Sequence, residues 1–272
     1  MAEGRLVSIA DTDIDRCDLA PAAARFEGSG QLVAAGGVDA LIVATPVGAH
    51  LADARAAAAA GLPSLVEKPP AQDAAGARVL AWLQPSPRIA FNRRFDPRLR
   101  LVRDRLRSAG ATHLTLTFHY RKAAWKAFVA DDDVLLDVGP HLLDLSRWII
   151  GSEIRRVRTA RLGPKHCELE LDLVRGGARL SCRSNRPYFE GIVVRDGAGS
   201  TVARWSRRGL GRRWSNDDFV ESIAAQLRAF CAAVRGAESA ALATSADGVA
   251  VMEAIDAARR SATEDGGWVD LP

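Results

Sequence analysis

Lysine is scarce in this 272-residue chain, occurring only at 68, 122, 126 and 165 among many arginines. Lys68 stands in Val66-Glu67-Lys68-Pro69-Pro70, directly after a short apolar run. An ammonium in a partly buried cleft can lose affinity for its proton, an option effectively closed to arginine. A second titratable group lies in Asp131 to Gly151, DDDVLLDVGPHLLDLSRWIIG. In a helix, Asp137, His141 and Asp144 share one face, where two carboxylates and an imidazole converge. Imidazole titrates near neutrality and can act as base or acid. A bland reading stands beside each residue. Lys68 could cap a strand edge, His141 could be a satisfied buried histidine, Asp137 could favour a helix N-terminus through the dipole, and Asp144 could make a structural hydrogen bond. His113, His119 and His166 are scattered through strand-like segments without a second ligand at metal spacing, so no metal site is expected.

The elements that must position these residues follow from apolar patterning. From residue 5 to about 95, short strand-like runs alternate with alanine-rich helical stretches, the pattern of β-α-β units and a parallel sheet. Arg5 to Ala10 reads as a strand ending at Asp11, residues near 15 to 26 as a helix, and Val38 to Ala44 as a strand buried on both faces and ended by Thr45-Pro46. HLADARAAAAA at 50 to 60 has high helix propensity and stops at Gly61. Ser64 to Glu67 and Arg88 to Asn92 read as strands, with a helix at about 72 to 83 between them. Thr45-Pro46 and Glu67-Lys68-Pro69 therefore mark the carboxyl edge of a parallel sheet, where open α/β folds bind ligands.

Beyond Asp96-Pro97 the rhythm changes. A basic helix to about 108 and a strand at 112 to 120 lead to a helix near 137 to 150. Consecutive strand-like segments follow at 154 to 162, 166 to 174, 178 to 186, 190 to 196 and 200 to 206, implying a mainly antiparallel sheet. Helices at about 217 to 235 and 245 to 262 close the chain. The expected fold is α/β, with a Rossmann-like parallel domain over 1–95 and an α+β domain with an open, mainly antiparallel sheet over 96–272. An apolar outer face on that second sheet would favour a homo-oligomer.

Composition narrows the class. Apolar residues make up 48% and charged residues 26%, with no apolar run near the roughly 18 residues that cross a bilayer. The net charge of +4 reads as solvated surface, since no nucleic-acid motif accompanies Arg155-Arg156, Arg207-Arg208 or Arg212-Arg213. Neither a nucleic acid nor a membrane is an expected partner. Cys17, Cys167, Cys182 and Cys231 form no Cys-x-x-Cys pair, and the opening MAEGRLVSIAD lacks the basic-then-apolar order of a secretory leader. A cytoplasmic location is expected.

VDALIVATPVGAHLADARAAAAAGLPSLVEKPPA at 38 to 71 resembles the glucose-fructose oxidoreductase/inositol dehydrogenase/MocA family. In that family a strand ends in Ala-Thr-Pro, a histidine follows, and Glu-Lys-Pro closes the next strand. Asp137 to Asp144 is similar to its Asp-x-Gly-x-His-x-x-Asp segment, AFNRRFDP at 90 to 97 to its exit from the nucleotide domain, and SADGVAVMEAIDAARRSATEDGGWVDL to its closing helix and strand. The resemblance implies hydride transfer between NAD or NADP and a hydroxyl or carbonyl of a sugar-like, cyclitol-like or other small polar substrate. It implies His141 as acid-base, Lys68 orienting the oxygen and Asp137 holding the imidazole. It places Asp11, Ala44, Thr45, Pro46, His50, Glu67 and Lys68 at the cofactor, with Asp11 accepting from the ribose hydroxyls. His50 starts the helix after Ala44-Thr45-Pro46 or lines that cofactor cleft.

The departure is the phosphate grip, because the sequence holds no Gly-x-Gly-x-x-Gly. Arg5 to Asp11 matches the family's second strand, so the expected parallel sheet lacks its first strand and glycine loop. Gly28-Ser29-Gly30, Gly36-Gly37 and Gly209-Leu210-Gly211 are rejected as substitutes, the first two for want of a strand-to-helix junction. Without that grip the cofactor could be lost. Two further readings then stand: a cofactor-independent lyase, cyclase or isomerase using the same Lys, Asp and His, or a non-catalytic binding or partner subunit.

Overall fold

Short apolar runs separated by alanine-rich stretches fold here as parallel strands crossed by helices. A computed structural model of the chain describes residues 4–19, 23–109, 113–122, 133–208 and 217–272. They form two compact units, Met1–Asn92 with Ile223–Val249, and Arg93–Ser222 with Ala250–Pro272. The first unit opens with β1 (Ser8–Ala10), a 3-10 turn (Ile14–Leu19), β2 (Ala24–Phe26), α1 (Ser29–Ala35) and β3 (Leu41–Val43). It continues with α2 (His50–Ala59), β4 (Ser64–Val66), α3 (Ala74–Ala81) and β5 (Arg88–Ile89). Gly61, at φ +70°, ends α2, with its N–H and that of Leu62 closing on Ala58 and Ala57 carbonyls. Asp73 caps α3 by accepting from Gly76 N–H at 2.7 Å.

The strands of this unit fall into two sheets. Parallel β1 and β2 pair only with each other, while β3, β4 and β5 pair in parallel and β12 (Ala243–Thr244) adds antiparallel to β5. Among the described residues no strand joins β1 to β3. This bears on β3, expected to be buried on both faces: Leu41 and Val43 are buried, but Ile42 is 50% exposed. Three sequence expectations need correction here. The helix placed near 15 to 26 is a 3-10 turn followed by β2, whose place is set by pairing with β1. Gly28-Ser29-Gly30 does sit at a strand-to-helix junction, between β2 and α1, but α1 has only seven residues and open space surrounds both glycine Cα positions. Finally, residues 223–249 belong to the first unit rather than the second. β12 pairs with β5, Ser245 Oγ meets Ser86 Oγ at 2.6 Å, and Gly248 lies against Ile89 and Pro70.

The second unit carries α4 (Pro97–Ala109), β6 (His113–Arg121), α5 (Val134–Asp137), α6 (Gly139–Ile150), β7 (Ile154–Gly163) and β8 (His166–Leu173). Then come β9 (Gly176–Arg183), β10 (Asn185–Arg195), β11 (Thr201–Arg208) and β13 (Val269–Asp270). The chain also forms α7 (Asp217–Val234) and α8 (Ser245–Thr263), each of which crosses in sequence from one unit to the other. The seven-stranded sheet has the order β11-β10-β6-β9-β8-β7-β13, antiparallel except at β6–β9. Period-two alternation turns Leu114, Leu116, Leu169, Leu171 and Leu180 inward, where α4, α5 and α6 pack. The opposite face is not the apolar surface that the sequence suggested. It is a lattice of ion pairs, with Arg158 and Arg179 on Glu170, Arg155 and Arg156 on Asp172, and His166 and Arg183 on Glu168. Gly209-Leu210-Gly211 and Arg212-Arg213 lie outside the described residues. No helix among the described residues is long and apolar enough to cross a membrane. None of their His, Cys, Asp and Glu side chains group to hold a metal ion.

Candidate active site

In the first unit the carboxyl ends of β3 and β4 lie side by side, because Val43 pairs with Val66. Ala44, Thr45 and Pro46 leave β3 exposed, while Glu67 and Lys68 leave β4 half-buried. Both exits are tied to α2. Thr45 Oγ1 donates to Asp53 Oδ2 at 2.6 Å, and Ser29 Oγ at the start of α1 donates to Asp53 Oδ1 at 2.6 Å. His50, the first residue of α2, is 2% exposed, with Nδ1 3.0 Å from the Pro69 carbonyl and Nε2 2.8 Å from the Thr45 carbonyl. It therefore joins the two exits from inside the unit. Glu67 keeps β4 in register through its N–H to the Val43 carbonyl, and its carboxylate accepts the Lys68 N–H at 3.1 Å. Burial raises the Glu67 pKa, opposed by that hydrogen bond and by the charges of Lys68 and His50. Asp11, just past β1, accepts from Asp13 N–H at 2.9 Å and lies 4.0 Å from Arg16, with about a third of its side chain exposed at 32%.

The second unit holds Asp137, His141 and Asp144, but not on one uninterrupted helix. α5 ends at Asp137 and α6 begins at Gly139, so a break at Val138 separates the first carboxylate from the imidazole. The turn that supplies Asp137 is started by Asp133, which accepts from Leu136 N–H at 2.8 Å. Asp137 is engaged by β6: Tyr120 Oη donates to Oδ2, and Lys122 Nζ stands 3.9 Å from the same oxygen. Asp137 also reaches the inner face of the sheet electrostatically. It adds to the rise in the Cys182 thiol pKa, which comes first from a hydrogen bond with Cys167 and from burial. His141 is half-buried, with Nδ1 enclosed. Asp144 is fully buried and clamped by Arg94, whose Nε donates to both carboxylate oxygens at 3.2 and 2.9 Å while Nη2 donates to Oδ1. Its role is to seat α6.

Tyr120 and Lys122 escaped the sequence reading. Their rarity was the available signal, since the chain has two tyrosines and four lysines. Arg94 and Asp53 carried none, because only the fold reveals their partners.

No family model matches the chain. Among curated proteins, the rhizopine catabolism protein MocA of Rhizobium meliloti is 29% identical over 264 residues, covering 88% of this chain and 81% of that protein. An inositol 2-dehydrogenase of Acidothermus cellulolyticus is 35% identical over 150 residues, covering 51% of this chain and 44% of that enzyme. A solved myo-inositol dehydrogenase of Lactobacillus casei, in complex with NAD(H) and myo-inositol, shares the fold at a TM-score of 0.81 and 17% identity, covering 98% of this chain and 88% of that one. Through these matches, and through its Ala-Thr-Pro, Glu-Lys-Pro and Asp-x-Gly-x-His-x-x-Asp segments, the chain is similar to MocA and to inositol 2-dehydrogenases, the proteins of the glucose-fructose oxidoreductase/inositol 2-dehydrogenase/MocA family.

Proposed function

We propose that the chain is an NAD(P)-dependent oxidoreductase moving hydride between the cofactor and a hydroxyl or carbonyl carbon of a cyclitol-like or sugar-like substrate. The observation that carries this reading is the pairing of Val43 with Val66, which sets the exposed Thr45-Pro46 exit beside Lys68 on the carboxyl edge of parallel strands. The names and ligands of the relatives give the substrate class. The residues present suit a dinucleotide in part. Asp11 at the end of β1 can accept from ribose hydroxyls, and the Ala44 to Pro46 edge with Lys68 can border the nicotinamide. The sequence offers no Gly-x-Gly-x-x-Gly for the pyrophosphate. A bound nicotinamide would accept or supply the hydride. The chain's part is proton handling: His141 takes the hydroxyl proton on Nε2 during oxidation and returns it during reduction. The Lys68 ammonium orients the substrate oxygen, and Asp137 stabilises the charged imidazole. The same reading takes the protein as a cytoplasmic homo-oligomer binding a small molecule rather than nucleic acid or membrane.

Titration with NADH and NADPH, by fluorescence and calorimetry, tests the cofactor. A panel of inositols and aldoses followed in the nicotinamide absorbance band tests turnover, with Lys68→Ala and His141→Ala as controls. Absence of binding at roughly millimolar cofactor, against the micromolar to millimolar range usual for enzyme ligands, would sink the reading. The missing glycine motif favours one second reading, redox-neutral acid-base catalysis by the same residues. That reading expects substrate loss with unchanged nicotinamide absorbance.

A further inference from the structure

The mechanism above leaves His50 unused, yet its ring is enclosed in the first unit. It is 2% exposed, and both nitrogens face backbone carbonyl oxygens, Pro69 O at 3.0 Å and Thr45 O at 2.8 Å. A carbonyl oxygen only accepts, so both contacts are hydrogen bonds only when both ring nitrogens carry hydrogen. A cation so placed needs a neighbouring anion, and the Glu67 carboxylate is near enough for the His50 charge to pull its pKa down against burial. Glu67 also accepts the Lys68 N–H at 3.1 Å. The Lys68 backbone is therefore held on both sides, by Glu67 before it and through the Pro69 carbonyl after it. The other end of the staple is the β3 exit, already fixed by Thr45 Oγ1 on Asp53 at 2.6 Å.

We infer that His50 is a positioning residue for Lys68, a double-donor staple that binds the β3 and β4 exits together and sets where the Lys68 ammonium is presented. This rests on the proposed role of Lys68 in hydride transfer. Misplacing a reacting group by about 1 Å can cost on the order of 100-fold in rate. His50→Gln keeps at most one of the two bonds and conserves much of the volume, while His50→Ala removes both.

Three measurements test the inference on the full-length chain. In ring-nitrogen NMR, with His50→Gln used to assign the signal, the staple requires two N–H resonances from His50; a single one overturns it whether or not the protein turns over. Trace acetylation read by peptide mass spectrometry should show Lys68 reacting several-fold faster in His50→Gln than in wild type, and an unchanged rate refutes the link to Lys68 without any activity. In steady-state kinetics, both His50 variants should lower kcat about 10- to 100-fold with KM nearly unchanged, and the loss should vanish in a Lys68→Ala background. Additive losses in that double-mutant cycle refute positioning through Lys68. A wild type that turns over no polyol counts against the proposed function, and the first two measurements then decide the staple alone. If His50→Ala fails to fold, His50→Gln carries the comparison.

Discussion

Arg94→Met tests whether α6, the helix that presents His141, is seated by its buried ion pair. Asp144 lies three residues after His141, with its side chain 1% exposed, and Arg94 is 5% exposed. Removing the guanidinium deletes the hydrogen bonds from Nε and Nη2 and leaves a buried carboxylate without its guanidinium counter-charge. Breaking a buried pair from one side costs about 3–5 kcal/mol, whereas replacing both partners with apolar side chains of similar volume is often neutral. Arg94→Met should therefore lower the urea midpoint by about 1–2 M at an m-value of about 2–3 kcal/mol/M. Adding Asp144→Leu to the Arg94→Met chain should restore most of that loss. Urea titration followed by far-UV circular dichroism reads both results, provided the slope stays constant between variants. A midpoint shift in Arg94→Met of less than about 0.3 M, equivalent to under about 1 kcal/mol, refutes the seating argument. So does a double variant as unstable as the single one.

Tyr120→Phe removes one hydroxyl from a half-exposed carboxylate, so solvent moderates its effect on stability. Because that hydroxyl fixes Asp137 without itself moving the proton, kcat/KM should fall about 10-fold, less than the roughly 100- to 10,000-fold of a full acid-base contribution; an unchanged pH-rate profile and kcat/KM would remove Tyr120 from the site. Burial, with the adjacent Glu190 charge second, pushes the Tyr188 phenol up to about 12. The folded state then holds that proton longer than the unfolded one, so the associated stability is present below the ordinary phenol value near 10 and is lost as pH climbs toward the folded value. In Tyr120→Phe, which leaves Tyr188 as the remaining tyrosine, the ultraviolet phenolate signal should have its midpoint near 12; a midpoint at the ordinary value refutes the burial argument. Ile42→Thr on the exposed side of β3 should change stability by no more than about 0.5 kcal/mol, as for other surface positions. A loss above about 2 kcal/mol, typical of a core truncation, would show that this face is covered in solution.

Elements with strong local determinants were legible in the sequence. α2 announces itself by its alanine run and Gly61, α3 by its Asp73 cap, and β8 by strict alternation of His166 through Leu173. The elements missed were those made by partners rather than by propensity. β2 is three residues long and exists because Ala24 to Phe26 pair with Ser8 to Ala10. β12 is two residues long, and its pairing with β5 carries 223–249 into the first unit. The site divides in the same way. Lys68, Asp137 and His141 were chosen by residue type and spacing, but the Val138 break, the Tyr120 contact and the Arg94 clamp depend on tertiary packing that no spacing encodes.

His50 shows how this division bears on chemistry. The family resemblance implies a place for it at the cofactor or at the start of the helix, and both ring nitrogens are engaged by the backbone of the edge itself. The first unit thus invests its one histidine in fixing the exits of β3 and β4. Asp11 is likewise occupied locally, by Asp13 N–H and Arg16, and among the described residues β1 has no hydrogen-bonded neighbour strand beyond β2. The edge that presents Lys68 lies in the four-stranded sheet, whereas Asp11 follows β1 of the separate two-stranded sheet. A substitution at His50 should therefore act chiefly on kcat, and one at Asp11 chiefly on cofactor affinity.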